Sequence, residues 1–132
     1  MQGNPTFGAD RVTTSQAVAT TTETAVATVV VTPGAPGQRV SLTGYVIATI
    51  GTGTTSVVTR IRKGSGITGA VVGGGQAVSN GINAGGNGPY PTLGLDQLGN
   101  DAEGVYTLTF QQNAASANGS VLEAVLQAVC HD

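Results

Sequence analysis

The sequence predicts an all-β domain, and three features of the chain support this prediction. Apolar and polar residues alternate in several short runs, β-branched valine and threonine are abundant in those runs, and clusters rich in glycine, proline and asparagine separate them. Glycine occurs 21 times in 132 residues, more than twice the typical share of about 7%. The length suits a single domain with one hydrophobic core.

The charge and cysteine content exclude several classes of function. Charged residues make up 9% of the chain and the formal net charge is −2, so we do not expect nucleic acid as a partner. A single cysteine, Cys130, cannot form an internal disulfide, and no group of cysteine and histidine has the spacing of a zinc site. Neither a secretory signal nor an apolar run of 18 residues occurs, so we expect no export signal and no membrane partner.

Residues 1–18 are predicted to form an extended N-terminal arm, and residues 19–132 the β-domain. The arm shows neither helical nor strand periodicity, and its only sizeable apolar side chains are Phe7, Val12 and Val18. Contacts this sparse cannot offset the roughly 1–2 kcal/mol per residue that backbone ordering costs. We therefore expect the arm to be mobile in the monomer and to contact a neighbouring subunit in an assembly.

Three strands are predicted between residues 19 and 63. The first ends at the turn PGAPG, residues 33–37, where prolines remove hydrogen-bond donors and glycines allow positive φ. The second, residues 38–50, places six small or apolar residues on one face: Val40, Leu42, Gly44, Val46, Ala48 and Ile50. The third, residues 57–63, has Val57, Thr59 and Ile61 on one face and Val58, Arg60 and Arg62 on the other.

The segment Gly64 to Gly69 reads G-x-G-x-x-G, the pattern of a dinucleotide-binding loop. That loop needs a buried apolar strand before it, a helix after it and an acidic residue about twenty positions further on. Arginines interrupt the preceding strand, glycine-rich sequence follows, and the next acid is Asp96. We therefore predict a turn, without a phosphate or cofactor site.

The second half of the chain predicts a long loop followed by strands. Residues 73–91 are rich in glycine and asparagine and contain one short candidate strand, QAVS. Leu93 and Leu95 indicate another short strand, and residues 104–112 a clear one with Tyr106, Leu108 and Phe110 on one face. Residues 120–130 fit a helix slightly better than a strand. As a strand, this segment would place five residues on one face: Leu122, Ala124, Leu126, Ala128 and Cys130.

Two groups of residues have the types, but not the arrangement, of a catalytic or metal site. Cys130, His131 and Asp132 are adjacent, so their side chains point apart. The acids at 96, 101 and 103 lack the register of a calcium loop, and we predict solvated turn residues, with Asp101 or Glu103 available to pair with an arginine. No catalytic, cofactor or metal residue is predicted, and we do not expect an enzyme.

The order of these elements resembles that of the small tumour-necrosis-factor-like jelly-roll proteins encoded by tailed bacteriophages. The similarity covers roughly residues 19 to 130. It consists of a strand ending at a P-G turn, a long strand before the R-I-R-K-G segment, and a late Y-T-L-T strand before a final apolar strand. The resemblance implies a jelly-roll β-sandwich of about eight antiparallel strands, usually trimeric.

The same resemblance implies a structural protein of the virion. The expected role is a capsid decoration (cement) protein on the outer capsid surface, made in the host cytoplasm, that forms a homotrimer, binds the major capsid protein and bridges shell subunits. The alternative is a fibre or tail-associated module that binds a receptor or glycan through its long loops; the scarcity of aromatic residues favours the structural role. Arg60, Arg62 and Lys63 form either a solvated strand face or a fork for a partner's carboxylates. The predicted partner-binding residues are Phe7, Arg11, Val12, Arg60, Arg62, Lys63 and Tyr90.

Overall fold

The computed structural model describes residues 3–78 and 89–132, which form nine β-strands. They are β1 (Thr6–Val12), β2 (Gln16–Val18), β3 (Thr24–Val31), β4 (Arg39–Thr49), β5 (Ser56–Lys63), β6 (Val71–Val78), β7 (Tyr90–Gln97), β8 (Gly104–Asn113) and β9 (Gly119–His131). Within those two ranges, no helix has the length and apolar character needed to cross a membrane. The prediction of an all-β chain is confirmed.

The strands form two antiparallel layers. One layer, the first sheet, has the order β1-β9-β4-β7, with β2 also paired to β9; the other, the second sheet, has the order β6-β5-β8-β3. A single residue pair, Gly73 with Gly94, joins the layers between β6 and β7. Because the chain passes repeatedly from one layer to the other, the architecture is a jelly-roll-like sandwich, as expected.

The core lies between the layers and uses the predicted inward faces. The apolar residues of β4 that share one face, and Tyr106, Leu108 and Phe110 of β8, are almost fully buried. A Cβ atom at Gly44 would lie 3.2 Å from the Leu108 side chain, so glycine lets the two sheets approach closely at this point. Alternation along each strand therefore sets which side chains form the core.

The C-terminal segment is a strand, because residues 119–131 pair with β4 along almost its whole length. One detail differs from the expected face: Val121 is buried and Leu122 is exposed. The register between β9 and β4 shifts between Ile47 and Ala48, which leaves Leu122 as an extra residue on β9. This bulge reverses the alternation before Glu123, so Leu122 turns away from the core.

The N-terminal residues belong to the first sheet, whereas the sequence predicts an extended arm at residues 1–18 that is mobile in the monomer. All seven residues of β1 pair with β9, from Thr6 with Cys130 to Val12 with Ala124. Val18 of β2 is fully buried. The sheet edge of β9 supplies backbone hydrogen-bond partners, which a search for apolar periodicity cannot detect.

At its other edge β1 lies against β3, so the ends of the two sheets meet. The carboxylate of Asp10 accepts a hydrogen bond of 3.0 Å from the Thr28 amide. A Cβ atom at Gly8 would lie 2.5 Å from the Val30 carbonyl oxygen, closer than real Cβ atoms come. Glycine at position 8 is therefore required for this contact.

The remaining predictions about loops are partly met. Gly64 and Gly66 have positive φ angles of 91° and 109°, and the Lys63 amide bonds to the Ala70 carbonyl, so this segment is a turn as predicted. The expected long loop at 73–91 is shorter, because β6 extends through residue 78 and β7 begins at residue 90. Residues 79–88, which make up the rest of the predicted loop, lie outside the described part of the chain.

Candidate interaction surface

Three large apolar side chains on the outer face of the first sheet are strongly exposed. Phe7 of β1 is 74% exposed, and Leu93 and Leu95 of β7 are each 72% exposed. Among the described residues, no other large apolar side chain exceeds 51%. Alternation along the two strands directs these side chains away from the core, and no other part of the described chain covers them.

The pairing register shows that these residues belong to two continuous rows across the sheet. One row runs Phe7, Val129, Ser41, Leu95, and the next runs Ala9, Gln127, Thr43, Leu93. Neither row contains a charged residue. We call these eight residues the apolar face.

Charged and hydrogen-bonding groups lie at the two ends of the apolar face. At one end His131 Nε2 lies 2.8 Å from the Ser41 hydroxyl. At the other end a single carboxylate oxygen of Glu123 accepts hydrogen bonds from Arg11 Nε at 2.9 Å and from the Tyr45 hydroxyl at 2.8 Å. The bond to Glu123 raises the pKa of Tyr45. The margins thus carry charged and titratable side chains, while the two central rows carry none.

Two open furrows run along the apolar face. The first, which we call the β7 groove, has a volume of about 480 Å³ and lies between β4 and β7; it is lined by Ser41, Leu42, Thr43, Val72, Leu93, Gly94 and Leu95. The second has a volume of about 510 Å³ and lies between β1 and β9; it is lined by Phe7, Gly8, Ala9, Gln127, Ala128 and Val129. Open apolar furrows of this kind suit the side chains of a protein partner better than an enclosed small ligand.

The outer face of the second sheet is organised differently, around the carboxylate of Glu23. Arg62 binds this carboxylate through two nitrogens, at 2.7 and 2.9 Å, and Arg60 lies 3.3 Å from it. The Thr109 hydroxyl donates a further bond of 2.6 Å, and Arg62 also donates to the Gly69 carbonyl at 2.8 Å. The bond from Arg62 lowers the pKa of Glu23 against the opposing effect of burial. We call these groups the Glu23 cluster.

Chain segments from two loops cover this second outer face. Glu23 holds the segment before β3 against β5 and β8. The turn after β5 is held by Thr107, whose hydroxyl donates to the Gly64 carbonyl at 2.7 Å and accepts from the Gly66 amide at 3.1 Å. The second sheet is therefore largely covered by its own chain, while the first sheet is not.

A third charged group links the layers at one end of the sandwich. Lys63 of β5 lies 3.2 Å from Asp96 of β7, and the buried Tyr106 hydroxyl donates to the same oxygen of Asp96 at 2.8 Å. Burial alone would raise the pKa of Asp96, but the bonds from Tyr106, the backbone and Lys63 lower it. Burial and the bond to Asp96 raise the pKa of Tyr106.

Two of the predicted partner-binding residues, Phe7 and Arg11, lie on the outer face of the first sheet. Val12 packs against the core, and Tyr90 is half-buried with its ring 5.9 Å from that of Phe110. These last two positions are therefore structural in the monomer.

The three predicted cations of β5 all have acidic partners within the chain. Arg60 and Arg62 pair with Glu23, and Lys63 pairs with Asp96. The sequence offered two interpretations of these cations, a solvated strand face or a fork for a partner's carboxylates. Neither included these pairs within the chain. Asp101 and Glu103 are exposed in the turn before β8, and the acid that the arginines bind comes instead from the segment before β3.

Sequence reasoning missed the role of Leu93 and Leu95, the most exposed leucines of the apolar face. The segment Tyr90 to Gln97 alternates, and its two leucines share a face opposite Thr92, Gly94 and Asp96. That signal indicates a strand but cannot tell which of its faces is covered.

The adjacent residues at the end of β9 do not assemble a catalytic group. Cys130 is fully buried on the core side, whereas His131 lies on the outer side beside Ser41. Across residues 3–78 and 89–132, no three histidine, cysteine or acidic side chains are grouped as metal ligands would be.

Comparison with known proteins supports the fold. No protein-family model matches the chain, and no curated protein matches it. A chain in the solved structure of infectious bursal disease virus, Gx strain, is similar over 98% of this chain, with a TM-score of 0.54 and 12% sequence identity. The present chain spans 33% of that chain's length. At this identity the likeness shows the fold alone, so kinship with the phage proteins stays a prediction.

Proposed function

We propose that the protein is a structural component of a virion, a decoration (cement) protein on the outer surface of a capsid. In this role a homotrimer binds the major capsid protein and bridges neighbouring shell subunits. Three copies held together bind a lattice more tightly than one, because each bound copy raises the effective concentration of the other two.

The observation that carries the proposal is the apolar face. An exposed apolar patch that is rimmed by polar residues is typical of a protein contact site. A surface with neither charged residues at its centre nor a deep pocket suits assembly rather than catalysis or binding of nucleic acid. The jelly-roll-like fold and its likeness to a chain of a virus are in accord with a virion role.

The alternative role, a fibre module that binds a receptor or glycan, depended on long loops between residues 73 and 95. The described residues of that segment lie almost entirely in strands β6 and β7, and residues 79–88 lie outside the described part of the chain. No specific observation favours this alternative.

Labelling of intact particles tests the proposal. An antibody raised against the purified chain should decorate intact virus particles from cells that express it, at sites repeated over the shell. Particles from a deletion strain should bind the purified chain and then release their genome at a higher temperature. Finding the chain only in the unassembled fraction, with no binding to particles of the deletion strain, would overturn the proposal.

A further inference from the structure

Phe7 is positioned as a protruding anchor at one edge of the apolar face. It lies on β1, its side chain is 74% exposed, and the two residues that follow it along the strand, Gly8 and Ala9, are small. An aromatic side chain this exposed contributes a large contact area when a partner covers it, and it loses little conformational entropy in doing so.

A groove suited to such a side chain lies at the opposite edge of the same face. The β7 groove is open and predominantly apolar, with Leu93 and Leu95 forming one wall and Ser41 and Thr43 the other. Val72 of β6 also lines it. The small side chains of the β4 wall leave room beside the leucines.

Phe7 cannot occupy the β7 groove of its own chain. It lies in the same row as Ser41 and Leu95, and β9 and β4 separate β1 from β7. Three strand spacings of about 4.8 Å place the two edges about 14 Å apart. Any aromatic ring that fills the groove therefore comes from another molecule.

The surface between anchor and groove fits a second copy of this chain. The side chains between them are Val129, Gln127, Ser41 and Thr43, which are uncharged and short or flexible. Two such surfaces can approach without burying an unpaired charge, since Arg39, Arg11 and Glu123 lie at the margins. An acidic or basic partner would find no complementary charge here.

We infer that Phe7 of one copy inserts into the β7 groove of the next copy, and that this contact closes the homotrimer. Anchor and groove are different patches at opposite edges of one face, so two copies can exchange them reciprocally, or each copy can offer its anchor to one neighbour and its groove to the other. The homotrimer of the proposed function requires the second arrangement. Contacts of this kind form closed rings when the rotation between copies returns to the start. The inference rests on the trimer of the proposed function and assigns the residues that hold it.

A pair of cysteines tests the contact on the full chain. In Phe7→Cys with Leu95→Cys the two cysteines are too far apart within one copy for a disulfide, which needs Cα atoms within about 7 Å. Mild oxidation should therefore give covalent species of three chains that a reductant converts to single chains. The matched control, Ile67→Cys with Leu95→Cys, moves one cysteine to the exposed turn after β5, which Thr107 holds over the second sheet, and should remain single chains.

Sedimentation of single substitutions provides a second measurement. Wild type should sediment with the mass of three chains, and Phe7→Ser and Leu93→Ser should weaken association about thirtyfold or more, as truncation of a central anchor does. Ile67→Ser, which removes an exposed apolar side chain from the turn over the second sheet, should leave the mass of three chains. Trimers that survive Phe7→Ser, or oxidation that yields only single chains or only pairs, would overturn the inference. If the chain nevertheless labels particles, the virion role stands without this contact.

Discussion

Glu23 joins three separate segments of the second sheet: its own segment before β3, β5 and β8. Its carboxylate accepts from Arg62 and Thr109 and lies beside Arg60, so one side chain satisfies two cations on β5 and a hydroxyl on β8. It is 13% exposed, and the guanidinium of Arg62 meets it with two parallel bonds. Geometry of this kind makes an ion pair stronger than the usual surface pair.

We predict that Glu23→Gln lowers the free energy of unfolding by about 1.5–3 kcal/mol at pH 7, the usual range for hydrogen bonds to charged groups. The folded-state pKa of Glu23 lies below its usual value of about 4.3, so its contribution is present above that pH and is lost as pH falls through the folded value. The difference between variant and wild type should therefore shrink below about pH 4. Urea unfolding of variant and wild type, at pH 7 and below about pH 4, measures this difference in the free energy of unfolding.

The matched control for this charge change is Glu103→Gln. Glu103 is an exposed acid in the turn before β8, so its neutralisation should change stability by less than about 0.5 kcal/mol. Equal effects of the two substitutions would contradict the role given to the Glu23 cluster.

Among the described strands, β9 has the most pairing partners, because it pairs with β1, β2 and β4. It contains the bulge, which places two leucines four residues apart on opposite faces of the strand. Leu126 is fully buried, whereas Leu122 is 40% exposed. A helix would place both leucines on one face, and so would an unbroken strand.

We predict that Leu126→Ala lowers the free energy of unfolding by about 2–5 kcal/mol, as loss of a buried leucine does. Leu122→Ala serves as the internal control, and it should cost less than about 1 kcal/mol because the bulge turns that side chain outward. Chemical denaturation of both variants measures the difference. Similar losses at the two positions would show that the bulge is wrongly placed.

The structure differs from the sequence prediction most clearly at β1. A mobile arm and a paired strand differ in how strongly their backbone amides are protected from exchange with solvent. We predict that amides of β1 bonded to β9 exchange with solvent at least about a hundredfold more slowly than those of residues 13–15, which lie between β1 and β2. Hydrogen exchange followed by mass spectrometry of the N-terminal peptides measures this protection. Exchange of β1 at the rate of a free peptide would restore the mobile arm.

At the scale of the whole molecule, the sandwich has two unlike outer faces. The middle of the second sheet, on β5 and β8, is covered by the chain's own loops and the Glu23 cluster, while its edge residue Val30 is 51% exposed. The first sheet exposes the apolar face. Covering that face in an assembly removes apolar surface from water, which stabilises the folded chain in addition to its own core.

Assembly should therefore appear in the thermal stability. We predict that the unfolding midpoint of wild type rises by several degrees over a hundredfold increase in protein concentration, because association stabilises the folded state by mass action. The midpoint of Phe7→Ser should depend much less on concentration. Scanning calorimetry measures both, and a constant wild-type midpoint would contradict assembly through the apolar face.

The inner faces and turns of this protein were predictable from the sequence because they are local properties. Alternation along a strand directs successive side chains to opposite sides, so Val40 to Ile50 and Tyr106 to Phe110 identify the core without knowledge of the fold. The glycines at 64 and 66 likewise indicate a turn, since few other residues adopt their positive φ angles.

Three features were decided only by the tertiary structure, because each depends on segments distant along the chain. Pairing of β1 depends on backbone groups at the free edge of β9, which leave no pattern in side chains. The partner of Arg62 is Glu23, a residue 39 positions away that no spacing rule connects to it. Exposure of Leu93 and Leu95 depends on loops that fold over one sheet and not the other. Alternation determines which side chains point outward, whereas packing of the whole chain determines which outward side chains remain uncovered.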